Sequence, residues 1–544
     1  MRKQEGENMQ VAKCIKIYLN KDKQVVGYKI QYKDGTTRKI GSNDLREKML
    51  SGELRIINLK LTSDNRIIEG QNMSPEEKSE ADEKTMRYIK STINKMRVVG
   101  KGLTEIPTAS GQKCSLLRIK DDFHILYIPE TVKELNIVEY GDYDDIFTDE
   151  IKYIQGHIKV VGGKGLENAH AMFYECRAAS LDFSEFDTSN ITDMSDMFRD
   201  CFVHKLDLTN FDTSKVTSMK GMFYDCSAKT IDLSTFDTSN VENMTGMFAI
   251  CKASKLDLSN FNTSKVKNMS DMFRKYTSEY LDIRNFSYES VETLYAMFIN
   301  SDIKYLSMGK IEAPKLVNVD NMFYYCKIRH ISIDKFVATT LTSMLEMFKG
   351  CTTRHLNLSG FDTSTVKNMT GMFEEFSAQS IDLSKFNTHN VTNMQRMFYN
   401  AHVSRLDLSS FDTSNVHSMV LMFCSCGTQE LDLSNFDTHN TTSMCNMFNA
   451  ADIPRINLKS FDTSNVTDMS NMFEDCTTDA LDLSNFNTHR IRTTYKMFSG
   501  LCCKTLDIRG LHLIKNISLF DNCETELITD DIEIEDMFKH RRLT

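Results

Sequence analysis

The chain has 544 residues, 41% of them hydrophobic and 26% charged, a composition that excludes a wholly disordered chain. Its formal net charge of −10 disfavours a nucleic-acid-binding surface. With 5 Pro and no Trp stand 32 Met and 33 Phe, a bias that needs a cause.

The first residues, MRKQEGENMQVAKCIKIYL, lack the apolar segment of a signal peptide. No run of about 18 apolar residues occurs, so no membrane span is predicted. The expected compartment is the cytoplasm, where the 15 cysteines stay reduced. Residues 1–70 read as a small α+β module. VAKCIKIYL and VVGYKIQY flank NKDKQ like a hairpin, and Ser42 is placed to cap a helix over SNDLREKML. Residues 71–99 read as a polar linker, NMSPEEKSEADE, followed by a helix. Residues 100–165 read as an N-terminal cap with irregular units.

From Met172-Phe173 to Met497-Phe498 the pair Met-Phe recurs every 25 residues, fourteen times, and a shortened unit follows at Leu519-Phe520. A fixed period of this length marks a solenoid or array. We number the unit from Leu181 as position 1 to Lys205 as position 25. Apolar residues fall at positions 1, 3, 6, 11, 14, 17, 18 and usually 21. Positions 14 and 17 hold 24 of the 32 Met, and positions 6 and 18 hold 26 of the 33 Phe, so the bias is that of a core. Positions 1 and 3 alternate with polar residues, the pattern of a short half-buried strand. Positions 11, 14, 17, 18 and 21 follow helical spacing, with Asp, Thr and Ser before them as N-caps. Each unit is therefore predicted as strand, turn and capped helix: an α/β solenoid over 166–523, closed by a C-terminal cap over 524–544. One unit buries too little apolar surface to fold alone, so stacked neighbours must supply the rest.

The phrases IDLSTFDTSNVENMTGMF at 231–248, LDLSNFDTHN at 431–440 and FDTSNVTDMSNMFEDC at 461–476 resemble the BspA-like leucine-rich repeat family of bacterial surface proteins. The resemblance implies a leucine-rich-repeat solenoid that binds proteins or host surfaces, and a place on the cell surface as the alternative to the cytoplasm.

Positions 19, 20, 22, 24 and 25 vary between units and are expected to face solvent along one rim. Neutral drift explains such variation, and so does a recognition surface. Tyr174, Tyr224, Tyr280, Tyr305, Tyr324 and Tyr399 favour the second reading. Position 2 is Asp in ten of the fourteen units, a ladder of carboxylates that position 4 serines or turn amides are expected to satisfy. The ladder breaks at Ser307, Ser332 and Asn357, and the FDTS turns degrade nearby. Tyr280, Tyr305, Ser307, Arg329, His330, Arg354 and His355 gather at this break and form the predicted contact site for a protein partner. Decay of unselected units is the competing explanation.

No cofactor or metal site is predicted: His330 and His355 make only two ligands, and the position 21 cysteines are not at metal spacing. Gly162-Gly163-Lys164-Gly165 lacks the spacing of a phosphate loop and reads as a turn. No catalytic motif stands out, so a non-enzymatic protein-binding role is expected. The alternatives are an exported adhesin and an N-terminal effector module that the solenoid targets.

Overall fold

The structure is a computed structural model. It describes residues 10–19, 25–32, 37–41, 45, 54–56, 59–61, 67–69, 87, 89–93, 102–108, 111–120, 122–135 and 150–541. The predicted linker over 72–83 lies outside these residues, as does all of the predicted helix from Ser42 except Leu45.

The chain divides into two compact units, Met1–Val98 and Val99–Thr544. In the first, a four-stranded sheet has the order Thr37–Gly41, Val25–Tyr32, Gln10–Leu19, Leu54–Ile56. Gln10–Leu19 pairs antiparallel with Val25–Tyr32 and parallel with Leu54–Ile56. Leu59–Leu61 and Ile67–Glu69 form a separate antiparallel pair. Residues 87 and 89–93 are helical.

The second unit is a mostly β solenoid. Its first sheet converts an antiparallel meander into parallel stacking. Leu103–Pro107, Lys113–Lys120 and Phe123–Ile128 pair antiparallel in turn. Phe123–Ile128 then pairs parallel with His157–Gly162, and that strand with Ser180–Phe186. The corner after His157–Gly162 needs glycine: Gly162 and Gly163 have φ of +90° and +94°, and a Cβ on Gly162 would collide with the Ile128 carbonyl.

Each later unit is one coil of a β-helix. From residue 156 to 523 no residue is α-helical, which overturns the predicted strand–turn–helix unit and with it the α/β leucine-rich-repeat class. The reason lies in the backbone of positions 13–21. In the coil that starts at Leu181, Asp196 and Asp200 both adopt φ of +54°. Positions 16 and 20 are left-handed in every later coil up to Lys496 and Gly500. A left-handed residue every fourth position cannot propagate a right-handed helix.

From Met194 to Cys201 the segment is instead an arch of overlapping turns with every amide satisfied. Met197, Arg199 and Cys201 donate back three residues, to the carbonyls of Met194, Asp196 and Phe198, at 3.3, 3.0 and 3.3 Å. The alternate amides of Met194, Asp196, Phe198 and Asp200 donate to the next coil, at 3.0, 2.7, 2.9 and 2.8 Å. The remaining amide, that of Ser195, donates to Asp193 Oδ1 at 2.8 Å. A three-residue step therefore buries the same positions that a helix would.

The Asp residues expected as helix caps close turns, and so do those of the position 2 ladder. Asp187 Oδ1 accepts from the Ser189 amide at 3.0 Å, and Asp182 Oδ1 from the Ser184 amide at 2.9 Å. Threonine at position 8 is buried and joins coils: Thr363 Oγ1 donates to the Asn387 carbonyl and accepts from the Asn387 amide, both at 2.9 Å.

The core is a set of ladders. Position 18 phenylalanines stack from Phe173 to Phe520 with centroids 5.0–6.1 Å apart and planes within 11°. The methionines of positions 14 and 17 are fully buried beside them. At the C-terminal end the helix Ile532–Lys539, N-capped by Asp531, sets Phe538 edge-on against Phe520 at 5.4 Å. No helix among the described residues is long and apolar enough to cross a membrane.

Candidate protein-binding face

In each coil positions 21, 23, 1 and 3 point inward and 22, 24, 25 and 2 outward, as along the stretch Cys201–Leu208. Parallel pairing places equal positions of successive coils side by side. In most coils position 25 carries a non-aromatic residue such as Lys205, Thr230 or Arg405. Over four successive coils it carries rings, Tyr280, Tyr305, His330 and His355, and the first three of them stack. Tyr280 pairs with Tyr305 in register, and Tyr305 with His330. The ring centroids lie 4.7 and 4.9 Å apart, with planes inclined by 12° and 6°. That spacing equals the strand separation of about 4.8 Å, so the stack follows from the fold with no side chain leaving its row. Tyr280 remains 62% exposed.

The strands beneath are longer than in the neighbouring coils. Asp302–Glu312 and Lys327–Val337 are strands of 11 residues, whereas neighbouring coils have strands of 3–6. In these two coils Glu312 and Val337 replace the turn-forming Asp or Asn of position 7. The strand then continues through the corner, and Lys335 bonds Glu312 across it at 2.7 Å.

The electrostatics change at the same place. Arg284 grips Asp282 at 2.6–3.2 Å through Nη2 and Nε and holds its carboxyl below the usual range. In the next three coils position 2 carries no charge: Ser307 and Ser332 are in register, and Asn357 follows. Position 24 there reads Lys304, Arg329 and Arg354. Lys304 pairs with Glu279 at 2.8 Å and lies 5.3 Å from the centre of the Tyr305 ring. Arg354 Nε donates to Gln379 Oε1 at 3.2 Å. Among the described residues, the Arg329 guanidinium has no hydrogen-bond or ion-pair partner. His355 lies one coil beyond His330, and its Nδ1 stands 2.8 Å from Ser380 Oγ. Among the described residues it has no ring partner.

The seven sequence-selected residues thus fall on one face. Tyr280, Tyr305 and His330 form the stack, Arg329 and Arg354 flank it, Ser307 lies in the uncharged gap, and His355 is held by the next coil. Lys304 belongs to the same row and was not selected; its signal is the basic residue recurring at position 24. The four other tyrosines, Tyr174, Tyr224, Tyr324 and Tyr399, all stand at position 19, off this row, and have contacts of their own. Arg199 covers Tyr224 at 4.1 Å, Arg396 covers Tyr399 at 4.4 Å, and Lys349 lies 5.6 Å from the Tyr324 ring. Tyr174 is half-buried, and burial first of all pushes its hydroxyl up to about 12. Among the described residues no three His, Cys, Asp or Glu side chains gather closely enough to hold a metal.

Six overlapping stretches, 141–254, 167–278, 200–308, 226–336, 317–429 and 419–519, match the family described as "Mycoplasma protein of unknown function, DUF285". The chain belongs to this family. The DUF285 match covers the coils and the contact face, and it replaces the BspA-like leucine-rich-repeat assignment, which the absence of a helix in each coil also excludes. Residues 1–140 lie outside the DUF285 match. No curated protein and no solved structure matches the chain.

Proposed function

We propose that the chain is a non-enzymatic DUF285 solenoid that recognises a protein partner through the face around Tyr280, Tyr305 and His330. The carrying observation is the ring stack on a three-stranded sheet, with Tyr280 exposed and Tyr305 and His330 partly so. Tyrosine and arginine dominate the energetics of protein interfaces because they offer large contact area and hydrogen bonding at low entropic cost. Here stacking and register hold the rings before any partner arrives, so little freedom is lost on binding. Neutral drift gives no reason for three rings, a break in the carboxylate ladder and a basic row to coincide.

The test compares the wild type with a Tyr280→Ala, Tyr305→Ala, His330→Ala, His355→Ala variant as immobilised bait. Source-cell lysate and host-cell surface extract serve as prey, and circular dichroism melts confirm equal folding. A protein retained by the wild type and lost by the variant is expected. Equal capture by both baits would move the binding site off this face.

A further inference from the structure

The face has a spacing as well as a location, and the spacing selects the chemistry of what lies along it. Tyr280 ends the stack: the preceding coil carries Lys255 at the same position, so the outer face of the Tyr280 ring has no aromatic neighbour. Arg329 stands two coils beyond Tyr280 in the opposite direction, and Arg354 three. At about 4.8 Å per coil, a partner ring on the open face of Tyr280 lies three coils, or about 14 Å, from Arg329 and about 19 Å from Arg354. An extended chain rises about 3.4 Å per residue and turns alternate side chains to one face. Residues i, i+4 and i+6 therefore share a face, and the latter two lie about 14 and 20 Å from the first. The two spacings coincide.

We propose that the face binds an extended acidic segment of a partner protein laid along the solenoid axis. One aromatic side chain rests on Tyr280, and carboxylates roughly four and six residues away pair with Arg329 and Arg354. This deepens the protein-binding reading above and rests on it.

The charges around the face support an acidic occupant here and disfavour one elsewhere. Glu279 and Asp282 are already held by Lys304 and Arg284. Asp302 lies in register with Lys327, and Asp334 accepts from Ser332 Oγ at 3.3 Å. Asp232 and Asp257 on one side, and Asp382, Asp407 and Asp432 on the other, repel the same segment if it slides by a few coils. The neutral positions Ser307, Ser332 and Asn357 mark the one stretch of this row where three successive coils lack that charge.

The test is fluorescence anisotropy on the full-length protein with two labelled Ser/Thr-based peptides. The first carries Tyr at i and Glu at i+4 and i+6; the second moves both Glu by one residue, onto the opposite face. The first is expected to bind at least tenfold more tightly, more weakly as salt rises. An Arg329→Glu, Arg354→Glu variant is expected to lose it and to gain binding of a peptide with Lys at i+4 and i+6. Equal affinity of the two acidic peptides, or an unchanged affinity in the variant, would overturn the proposal. So would single-stranded DNA or a soluble oligosaccharide outcompeting the first peptide. If no acidic peptide binds while loss of the rings still abolishes partner capture, the acidic-segment chemistry falls and the binding face stands. If capture is also independent of the rings, both fall.

Discussion

Tyr305 lies between two rings, with its centroid 4.7 Å from that of Tyr280 and 4.9 Å from that of His330. It is the only member of the stack that touches both others, so the stack exists through it. Removing its side chain leaves Tyr280 and His330 two coils, or about 9.6 Å, apart, with water between them.

Tyr305→Ala is therefore expected to lower stability by about 1 kcal/mol, since aromatic pairs contribute about 0.5–1.5 kcal/mol each and solvent weakens these exposed ones. Tyr305→Phe keeps both ring contacts and should melt with the wild type. Urea denaturation followed by circular dichroism compares the two. A Tyr305→Ala protein as stable as Tyr305→Phe would show that the stack is not an energetic unit.

The left-handed positions give a second prediction. Ile250 occupies position 20 with φ of +58°, where a β-branched residue is strained, whereas Asn300 and Asn400 sit at the same position with φ of +57° and +51°. Ile250→Asn is expected to raise stability by about 1 kcal/mol. At position 16, Gly246→Ala meets only Tyr224 Cδ2, at 3.7 Å, and should cost about 1 kcal/mol of backbone strain. Gly221→Ala places its Cβ against Asp196 Oδ1 and should cost measurably more, because Asp196 is buried and bonded to Arg199 at 3.2 Å. Thermal melts of the three variants rank them. Equal losses for the two glycines would refute the packing argument.

The same two positions explain how far the sequence could be read. The period and the buried positions follow from side-chain chemistry alone, and the Met and Phe positions that the repeat pattern picks out are the ladders of the core. Local conformation did not follow, because the intervals 3, 3, 1 and 3 between positions 11, 14, 17, 18 and 21 fit a helix and a run of three-residue turns equally well. The distinguishing signal was present at position 16 in Gly221, Gly246, Gly371, Asn446 and Asn471, and at position 20 in Asn300, Gly350, Asn400 and Gly500. These residue types recur where φ is positive and are poor helix formers. The contact face was legible as a break in a row, since parallel coils bring equal positions together. Which tyrosines carry a cation was legible only in part: Arg199 reaches Tyr224 from position 19 of the preceding coil, a contact that no local spacing announces, whereas Arg396 and Tyr399 stand three residues apart in one coil.

The buried threonine ladder gives a third prediction. Thr363 is fully buried and is both donor to and acceptor from the backbone of Asn387. Thr363→Val keeps the shape and takes the hydroxyl away from the part-buried amide and carbonyl of Asn387, at about 1 kcal/mol. Thr363→Ser retains the hydroxyl and should lose less. The urea midpoints of the two variants test this; a valine variant no less stable than the serine variant would mean that water reaches these groups.

Acid pH tests the turn carboxylates. Asp212, Asp407 and Asp432 are held below the usual carboxylate range by hydrogen bonds from Ser214, Ser409 and Ser434. Asp412, bonded by Ser414 and then by His389, is held down to about 2. Each group has a lower pKa folded than unfolded, so it adds stability that is full above the unfolded value of about 3.9 and is lost as pH falls through the folded one. The melting temperature should therefore be level above about pH 5 and fall steeply from about pH 4 towards pH 2. Asparagine makes the same turn without a charge: Asn262 Oδ1 accepts from the Ser264 amide at 3.0 Å, and Asn357 Oδ1 from the Ser359 amide at 2.9 Å. A variant with Asp407→Asn and Asp432→Asn keeps the turns without that contribution, and should accordingly be somewhat less stable than the wild type at pH 7 and decline less below pH 4. An equally steep decline would assign the acid sensitivity to other carboxylates.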